Sequence, residues 1–477
     1  MSCLTFAKPT KTQKILLWGL SVMNFDKTFL VEVAQKIKNK KLSSKEVCLH
    51  CLNIYQQTKE LNAFVSVDSE YVLAQADKID KKIAEGKPVG RLAGVPVGVK
   101  DNITTEFYPT TCASNCFKNG LLPKSDATVV KNLKTADAII FGKTNMDELA
   151  MGFSSTNSAF GEVSNPYGTE YSAGGSSGGS AVSVAVGSVF GALGTDTGVS
   201  IRQPASNCGV VGLKPTFDSV SRNGVFPLSK TLDHVGCMAQ NVRDCAEMFS
   251  VINANGKDFS RCFASQKPTL KVAYLADFEG AFIDDDVKRA YFDAVAVLKQ
   301  IGYKLEGLTF GFSKRIAETY QVLCCTEGVE SFDDFNQLYP DTITTQKCGK
   351  EVNKRVAFGK SVLSNNPDAV KDAFIIMEST KQYVATVLAE CDVILSPTTL
   401  MRALKKHEEV SNEKGFTSDL FSIVCNLTGI PALTLPMGLD SNGIPLGLQL
   451  MSARNREDNI FALAFEIEQA LQNKNRG

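Results

Sequence analysis

The sequence predicts an α/β fold: one large domain whose core sheet is covered by helices on both faces. Three observations predict it. Short apolar runs with strand character alternate with segments of helical periodicity. No Pro-rich or Ser-rich linker divides the 477 residues. No internal repeat recurs along the chain.

The elements follow in order. After Met23 a helical region runs to about residue 86, with Leu30, Val33, Ile37 and then Val47, Leu49, Ile54 as its periodic apolar positions. Within it, Ser43-x-x-Glu46 opens a helix as a capping box. Residues 92–100 read as a strand that delivers Lys100 to a loop. Residues 126–135 read as a helix and 138–141 as a short buried strand. In the second half, 270–275 is a strand, 285–301 a helix, 303–308 a strand and 392–395 a further strand. Residues 431–436 and 446–450 form a hairpin across the turn residues Asp440-Ser441-Asn442-Gly443. Residues 459–471 make a closing helix.

Composition narrows the function. Hydrophobic residues are 44% and charged residues 21%, as in ordinary soluble globular proteins. Lys+Arg and Asp+Glu are both 51, so the net charge is +0. A chain that grips nucleic acid by itself usually carries a basic excess. Fourteen cysteines in so long a chain read as reduced thiols of a cytosolic or organelle-matrix protein. One Cys-x-x-Cys occurs, Cys48-Leu49-His50-Cys51. Zinc would need a second ligand pair at suitable spacing, and none follows, so core packing is the reading.

At the N-terminus Lys8, Lys11 and Lys14 precede an apolar stretch, Ile15 to Val22, and no acid comes before Asp26. A targeting peptide has this outline, but arginine and a small-residue cleavage site are missing. The run is also too short to span a membrane. Residues 1–22 are read as an extension ahead of a domain at 23–477.

The chemistry lies in Gly174-Gly175-Ser176-Ser177-Gly178-Gly179-Ser180, joined by Gly194-Thr195-Asp196-Thr197-Gly198-Val199-Ser200-Ile201-Arg202-Gln203-Pro204. A flexible linker would be polar throughout, whereas an apolar run from Ala181 to Phe190 follows at once. A Walker phosphate loop needs a glycine where Asp137 and Lys354 stand, ahead of Gly142-Lys143-Thr144 and Gly359-Lys360-Ser361. Gly174 to Gly178 matches the Gly-x-Ser-x-Gly elbow, but that mechanism needs a histidine base. His50, His234 and His407 are the only histidines, and none sits in a convincing motif. What remains is a base other than histidine. Lysine serves when burial favours its neutral form. Lys100 ends an almost wholly apolar strand, although a lysine before aspartate is by itself more often an ion-paired or surface residue.

These segments resemble the amidase-signature hydrolases, over nearly the whole chain from about residue 24. The resemblance implies one amidase-signature domain with a central mixed sheet. It implies Lys100 as base, Ser200 as nucleophile and Ser176 as the bridging serine, with a cis bond at Gly175–Ser176. It also implies an oxyanion hole from the backbone amides of Thr197, Gly198, Val199 and Ser200.

Within the family the likeness is to the ammonia-producing branch of tRNA-dependent amidotransferases, carried by Gly142-Lys143-Thr144-Asn145-Met146-Asp147-Glu148-Leu149-Ala150-Met151-Gly152 and by Cys208 to Thr216. That likeness implies Arg355 holding the α-carboxylate of glutamine and Asp419 its α-ammonium. A guanidinium fork suits a carboxylate. It further implies no cofactor in this chain and two partners, the B and C subunits of such an enzyme. The first of these would use ATP and Mg to amidate Glu-tRNA(Gln) or Asp-tRNA(Asn), and the small second one would clamp the pair. The implied compartment is the cytoplasm, with a mitochondrial or plastid matrix as the alternative.

Four positions depart from the family pattern. Val199 stands where glycine is usual, and a position needing φ > 0 would strain it. Ala173 replaces proline, Phe217-Asp218 replaces Tyr-Gly, and Ser396-Pro397-Thr398-Thr399-Leu400 lacks a second proline. Two rival readings stay open: a free-standing amidase of another small amide, and a scaffold protein with a spoiled oxyanion hole.

Overall fold

Alternate residues of the strand Val393–Pro397 enter different apolar clusters: Val393 and Leu395 join one, Ile394 the other. Val272 and Ala273 divide in the same way, as do Leu433 and Ala432. Successive strand side chains point to opposite faces, so a strand that feeds two clusters is buried on both sides. That is the layered α/β arrangement the alternating pattern predicts.

The computed structural model describes residues 29–117, 125–263, 269–278, 281–309, 314–409 and 418–474. The extension expected at residues 1–22 lies outside them. The strands in chain order are β1 Phe64–Val67, β2 Pro96–Lys100, β3 Ile139–Thr144, β4 Ser164–Asn165, β5 Gly168–Ser172, β6 Gly191–Asp196 and β7 Val211–Lys214. They continue with β8 His234–Ala239, β9 Val272–Leu275, β10 Leu305–Leu308, β11 Val393–Pro397, β12 Ala432–Leu439 and β13 Pro445–Ser452. Eleven form one mixed sheet in the order β1-β3-β2-β6-β8-β7-β12-β13-β11-β9-β10, and β4 pairs with β5 alone. β2 runs parallel to both β3 and β6, with Val97, Gly98 and Val99 opposite Gly191, Ala192 and Leu193.

Local chemistry explains several elements. The helix Ser44–Gln57 starts at the expected capping box, where Ser43 accepts from the Glu46 amide and Glu46 reaches back to the Ser43 amide. Cys48 and Cys51 lie on its buried side in the core. Burial pushes the Cys48 thiol up to about 12 and raises the Cys51 thiol well above its ordinary value too. The hairpin β12–β13 turns at Asp440, whose carboxylate accepts from the Asn442 and Ile444 amides while Gly443 takes a positive φ of 82°.

One expectation is corrected. The stretch from Met23 to residue 86 is not helical throughout: β1 interrupts it between the helices Ser44–Gln57 and Ser69–Ala84. Asn62 in the left-handed region (φ 54°) ends the preceding turn, and Phe64-Val65-Ser66-Val67 then pairs antiparallel with β3 at the sheet edge. Four residues are too few for a period of two to stand out against flanking helices.

Candidate active site

β2 is buried at all five positions, and its last residue is Lys100. Burial pulls the Lys100 ammonium down to about 7, opposed by the negative charges of Asp147, Asp196 and Asp233. Its Nζ lies 2.8 Å from Ser176 Oγ, 2.8 Å from Thr195 Oγ1 and 3.3 Å from the Thr195 carbonyl. When Nζ is neutral, its lone pair can accept the Ser176 hydroxyl proton along the first of these contacts. Lys214 is also held down to about 7, by burial first and by the nearby Arg202 charge. Its Nζ donates to the Pro215 carbonyl rather than to a serine. Geometry therefore separates two lysines that titration alone does not.

Lys100 is anchored from its own loop. The next residue, Asp101, accepts from the Thr111 and Ala113 amides and the Thr111 hydroxyl. It also faces Lys143 Nζ at 3.5 Å, with both side chains fully buried.

Ser176 follows the cis peptide Gly175–Ser176, as the resemblance implies. Its carbonyl accepts from the Asp147 amide at 3.1 Å, and the next amide, of Ser177, donates to the Ser200 carbonyl at 3.2 Å. Ser176 and Ser200 are thus tied to one another through the backbone. Glycine at 175 is required by contact: a Cβ there would sit 2.0 Å from Asp147 Oδ2. Neither carboxylate oxygen of Asp147 makes a well-formed hydrogen bond, and burial raises this acid to about 6 against the Ser155 amide, Arg355 and Lys100.

β6 leads into the segment 197–200. The amides of Gly198, Val199 and Ser200 donate to no acceptor among the described residues, which leaves them available to a developing oxyanion. Val199 is not among the residues with positive φ, so the strain that a glycine-requiring position would impose on valine does not arise. Two buried carboxylates hold this segment. Asp233 accepts from Thr197 Oγ1 at 2.7 Å and from the Leu228 and Ser229 amides. Asp196 pairs with Arg202 through two contacts of 3.0 and 2.9 Å. Burial would raise Asp196, but Arg202 holds it well below the usual carboxylate range. The remaining Arg202 donors reach the Gly198 and Ser422 carbonyls, Gln449 Oε1 and Asn426 Oδ1. The guanidinium is satisfied throughout, as a buried charge requires.

Arg355 and Asp419 belong to different helical elements. Arg355 lies on the helix Lys350–Asn365, where its Nε donates to Glu351 at 2.8 Å. It is near Tyr320 and Asp147, whose ionisation it affects. The Tyr320 ring packs against Gly198, where a Cβ would meet its Cζ and Oη at 2.6 Å. Asp419 is the N-cap of the helix Leu420–Thr428, which also supplies Ser422 and Asn426 to Arg202. Burial raises Asp419 to about 6, partly offset by the Ser418 hydroxyl and Arg202. Among the described residues no ion pair joins Arg355 to Asp419, and Arg355 pairs instead with Glu351.

Sequence reasoning did not single out Thr195, Asp147, Asp233 or Tyr320. Asp147 and Thr195 lay inside quoted motifs, and their roles appear only once β2, β6 and the 174–178 loop converge. Among the described residues no cluster of three or more His, Cys, Asp or Glu is placed to hold a metal, and no helix is long and apolar enough to cross a membrane.

Known proteins resemble this chain over most of its length. It is 37% identical to the A subunit of glutamyl-tRNA(Gln) amidotransferase from Lachnospira eligens, across 92% of this chain and 97% of that one. The crystal structure of the A subunit of glutamyl-tRNA(Gln) amidotransferase from Thermotoga maritima superposes with a TM-score of 0.77 at 31% identity, covering 93% of this chain and 94% of the other. A vestigial protein complex bearing on the origins of an s-triazine catabolic enzyme contains a chain that superposes with a TM-score of 0.83 at 27% identity, covering 94% and 98%. Residues 46–461 match the family described as Amidase. With the lysine, the two serines and the cis bond lying inside that match, the chain belongs to the amidase family.

Proposed function

We propose that this chain is the glutaminase component, the A subunit, of a tRNA-dependent amidotransferase. The observation that carries the chemistry is the 2.8 Å contact between a fully buried Lys100 Nζ and Ser176 Oγ. In this reading neutral Lys100 draws the Ser200 proton through Ser176, and the Ser200 oxygen attacks the carboxamide carbon. The unpaired amides of residues 198–200, with that of Thr197, receive the oxyanion. The tetrahedral carbon then expels ammonia, which takes the proton from Lys100, and water releases the acid by the same relay. Arg355 and Asp419 grip the carboxylate and ammonium of free glutamine, a substrate whose two opposite charges call for two opposite partners.

The likeness to proteins named for Glu-tRNA(Gln) supports a delivery role. Ammonia passes to the partner B subunit, which uses ATP and Mg to amidate Glu-tRNA(Gln) or Asp-tRNA(Asn). A small C subunit completes a heterotrimer in the cytoplasm or an organelle matrix. The deciding experiment compares glutamine-dependent with ammonium-dependent amidation of tRNA by the assembled complex. The reading requires that both proceed in the wild type and that only the second proceeds with Ser200→Ala. Amide hydrolysis that is indifferent to partner proteins and to tRNA would instead establish a free-standing amidase.

A further inference from the structure

Two cysteines that the proposed mechanism does not use stand sulfur to sulfur. Cys116 Sγ and Cys348 Sγ are 3.5 Å apart although 232 residues separate them in sequence. The segments that bear them are also joined independently. Glu148 accepts from Ser114 Oγ at 2.6 Å with one oxygen and from the Gly349 amide at 2.7 Å with the other. The loop that follows β2 and the start of the helix Lys350–Asn365 are therefore held in register, with the two thiols facing. The two sulfurs stand about 1.5 Å farther apart than the roughly 2.05 Å of a disulfide bond.

This pair differs from the core thiols. Cys116 is buried, 4% exposed, but its partner Cys348 is only half-buried, which gives a small reagent a way in beside it. The Cys348 thiol at hydrogen-bond distance is the largest influence on Cys116 and favours its thiolate against burial, with the Ser114 hydroxyl adding to the effect. A thiolate so stabilised is the reactive form of cysteine. Cys237 and Cys245 are 3.9 Å apart but wholly buried, and burial pushes the Cys245 thiol well up.

We propose that Cys116 and Cys348 form a reversible redox site that a peroxide converts into a disulfide. The Cys116 thiolate attacks one oxygen of hydrogen peroxide, the O–O bond breaks, and Cys116 sulfenic acid and hydroxide result. The Cys348 sulfur then attacks the sulfenic sulfur, the S–S bond forms, and the departing hydroxide leaves as water with the Cys348 proton. Two thiols lose two electrons in total and one peroxide becomes two waters. A dithiol reductant reverses the step by exchange. The bond would form one residue before Gly349, the N-cap of the helix that carries Arg355. Its effect on glutamine rests on the proposed function; the cross-link does not.

The test treats the full chain with hydrogen peroxide at neutral pH, removes the peroxide with catalase, blocks free thiols with N-ethylmaleimide and maps peptides without reductant. A Cys116–Cys348 linked peptide is expected, abolished by dithiothreitol and absent from Cys348→Ser. In that variant Cys116 sulfenic acid should instead be trapped by dimedone, a readout that a merely structural contact would not give. Recovery of both cysteines as maleimide adducts after peroxide treatment overturns the proposal, as does a Cys237–Cys245 link appearing at the same dose, since that pair reacts only if the core opens. A changed glutamine KM in the cross-linked protein supports the tie to Arg355. An unchanged KM with the link in place overturns that tie and leaves the redox site standing.

Discussion

Lys100 and Thr195 face one another from neighbouring parallel strands, and the threonine takes two of the lysine's contacts, one at its hydroxyl and one at its carbonyl. Asn102 donates to the same hydroxyl at 3.1 Å. Nζ is thereby aimed, and its remaining contact goes to Ser176. Removing the hydroxyl by Thr195→Val should leave the fold in place and lower kcat more than it raises KM, because the lysine loses its orientation rather than the substrate its grip. Steady-state glutaminase kinetics measure the split.

Ser200→Ala and Lys100→Ala should each reduce glutamine hydrolysis by roughly four orders of magnitude or more, as expected for members of one catalytic unit. Ammonium-dependent tRNA amidation by the complex should survive both. Single-turnover assays with labelled glutamine would show the loss, and retained glutamine-dependent activity in Ser200→Ala would mean that another residue is the nucleophile.

Lys100 must be neutral to accept a proton, and burial places its titration at about 7. The ratio kcat/KM should therefore rise with pH through about 7 and level off above it. Asp147 opposes that burial by favouring the charged lysine, so Asp147→Asn should move the rising limb to lower pH. A limb that stays in place in this variant would show that Asp147 does not act on Lys100.

If Arg355 and Asp419 hold the two ends of glutamine, alanine at either should raise KM roughly thirty-fold or more, from the 2–5 kcal/mol that losing one partner of a desolvated charged contact costs. The double variant need not be additive, since both residues orient one ligand. Burial pushes Asp419 up to about 6, and the protonated acid no longer answers an ammonium. In the wild type KM should therefore climb as pH falls below about 6. Acylation of Ser200 by a small uncharged reagent should respond far less to either substitution.

Gly198→Ala would drive a methyl into the Tyr320 ring. Activity should fall at least ten-fold, about 1.4 kcal/mol in the barrier. The same change made in a Tyr320→Ala background should cost less than it does alone, because the obstructing ring is gone. Equal costs in both backgrounds would rule out the clash as the cause.

The legible parts of the sequence were those with a local signal. The runs at 270–275 and 392–395 became β9 and β11 because they are apolar on both faces, and the Asp440–Gly443 turn announced its hairpin. β6, β7 and β8 gave little warning. Gly191, Gly194, Gly212 and Gly236 dilute strand propensity while serving close approach: a Cβ at Gly236 would fall 2.0 Å from the Leu213 carbonyl oxygen. The triad expectation came from the motif around Ser176 and Ser200, and the cis bond expected with it is present. Asp147 and Tyr320 could not be placed, because their importance lies in what other segments bring against them, Gly175 in one case and Gly198 in the other.

Side chains on a strand change face with every residue, and this has a consequence for β2. Its pairing with β6 sets Val99 opposite Leu193 and carries Lys100 one step further along, within reach of the Thr195 hydroxyl. Deleting any one residue between Pro96 and Val99 would turn the amine toward the opposite layer and leave Asp101 in the place that faces Ser176. The residues of this strand are therefore easier to exchange than its length is to alter.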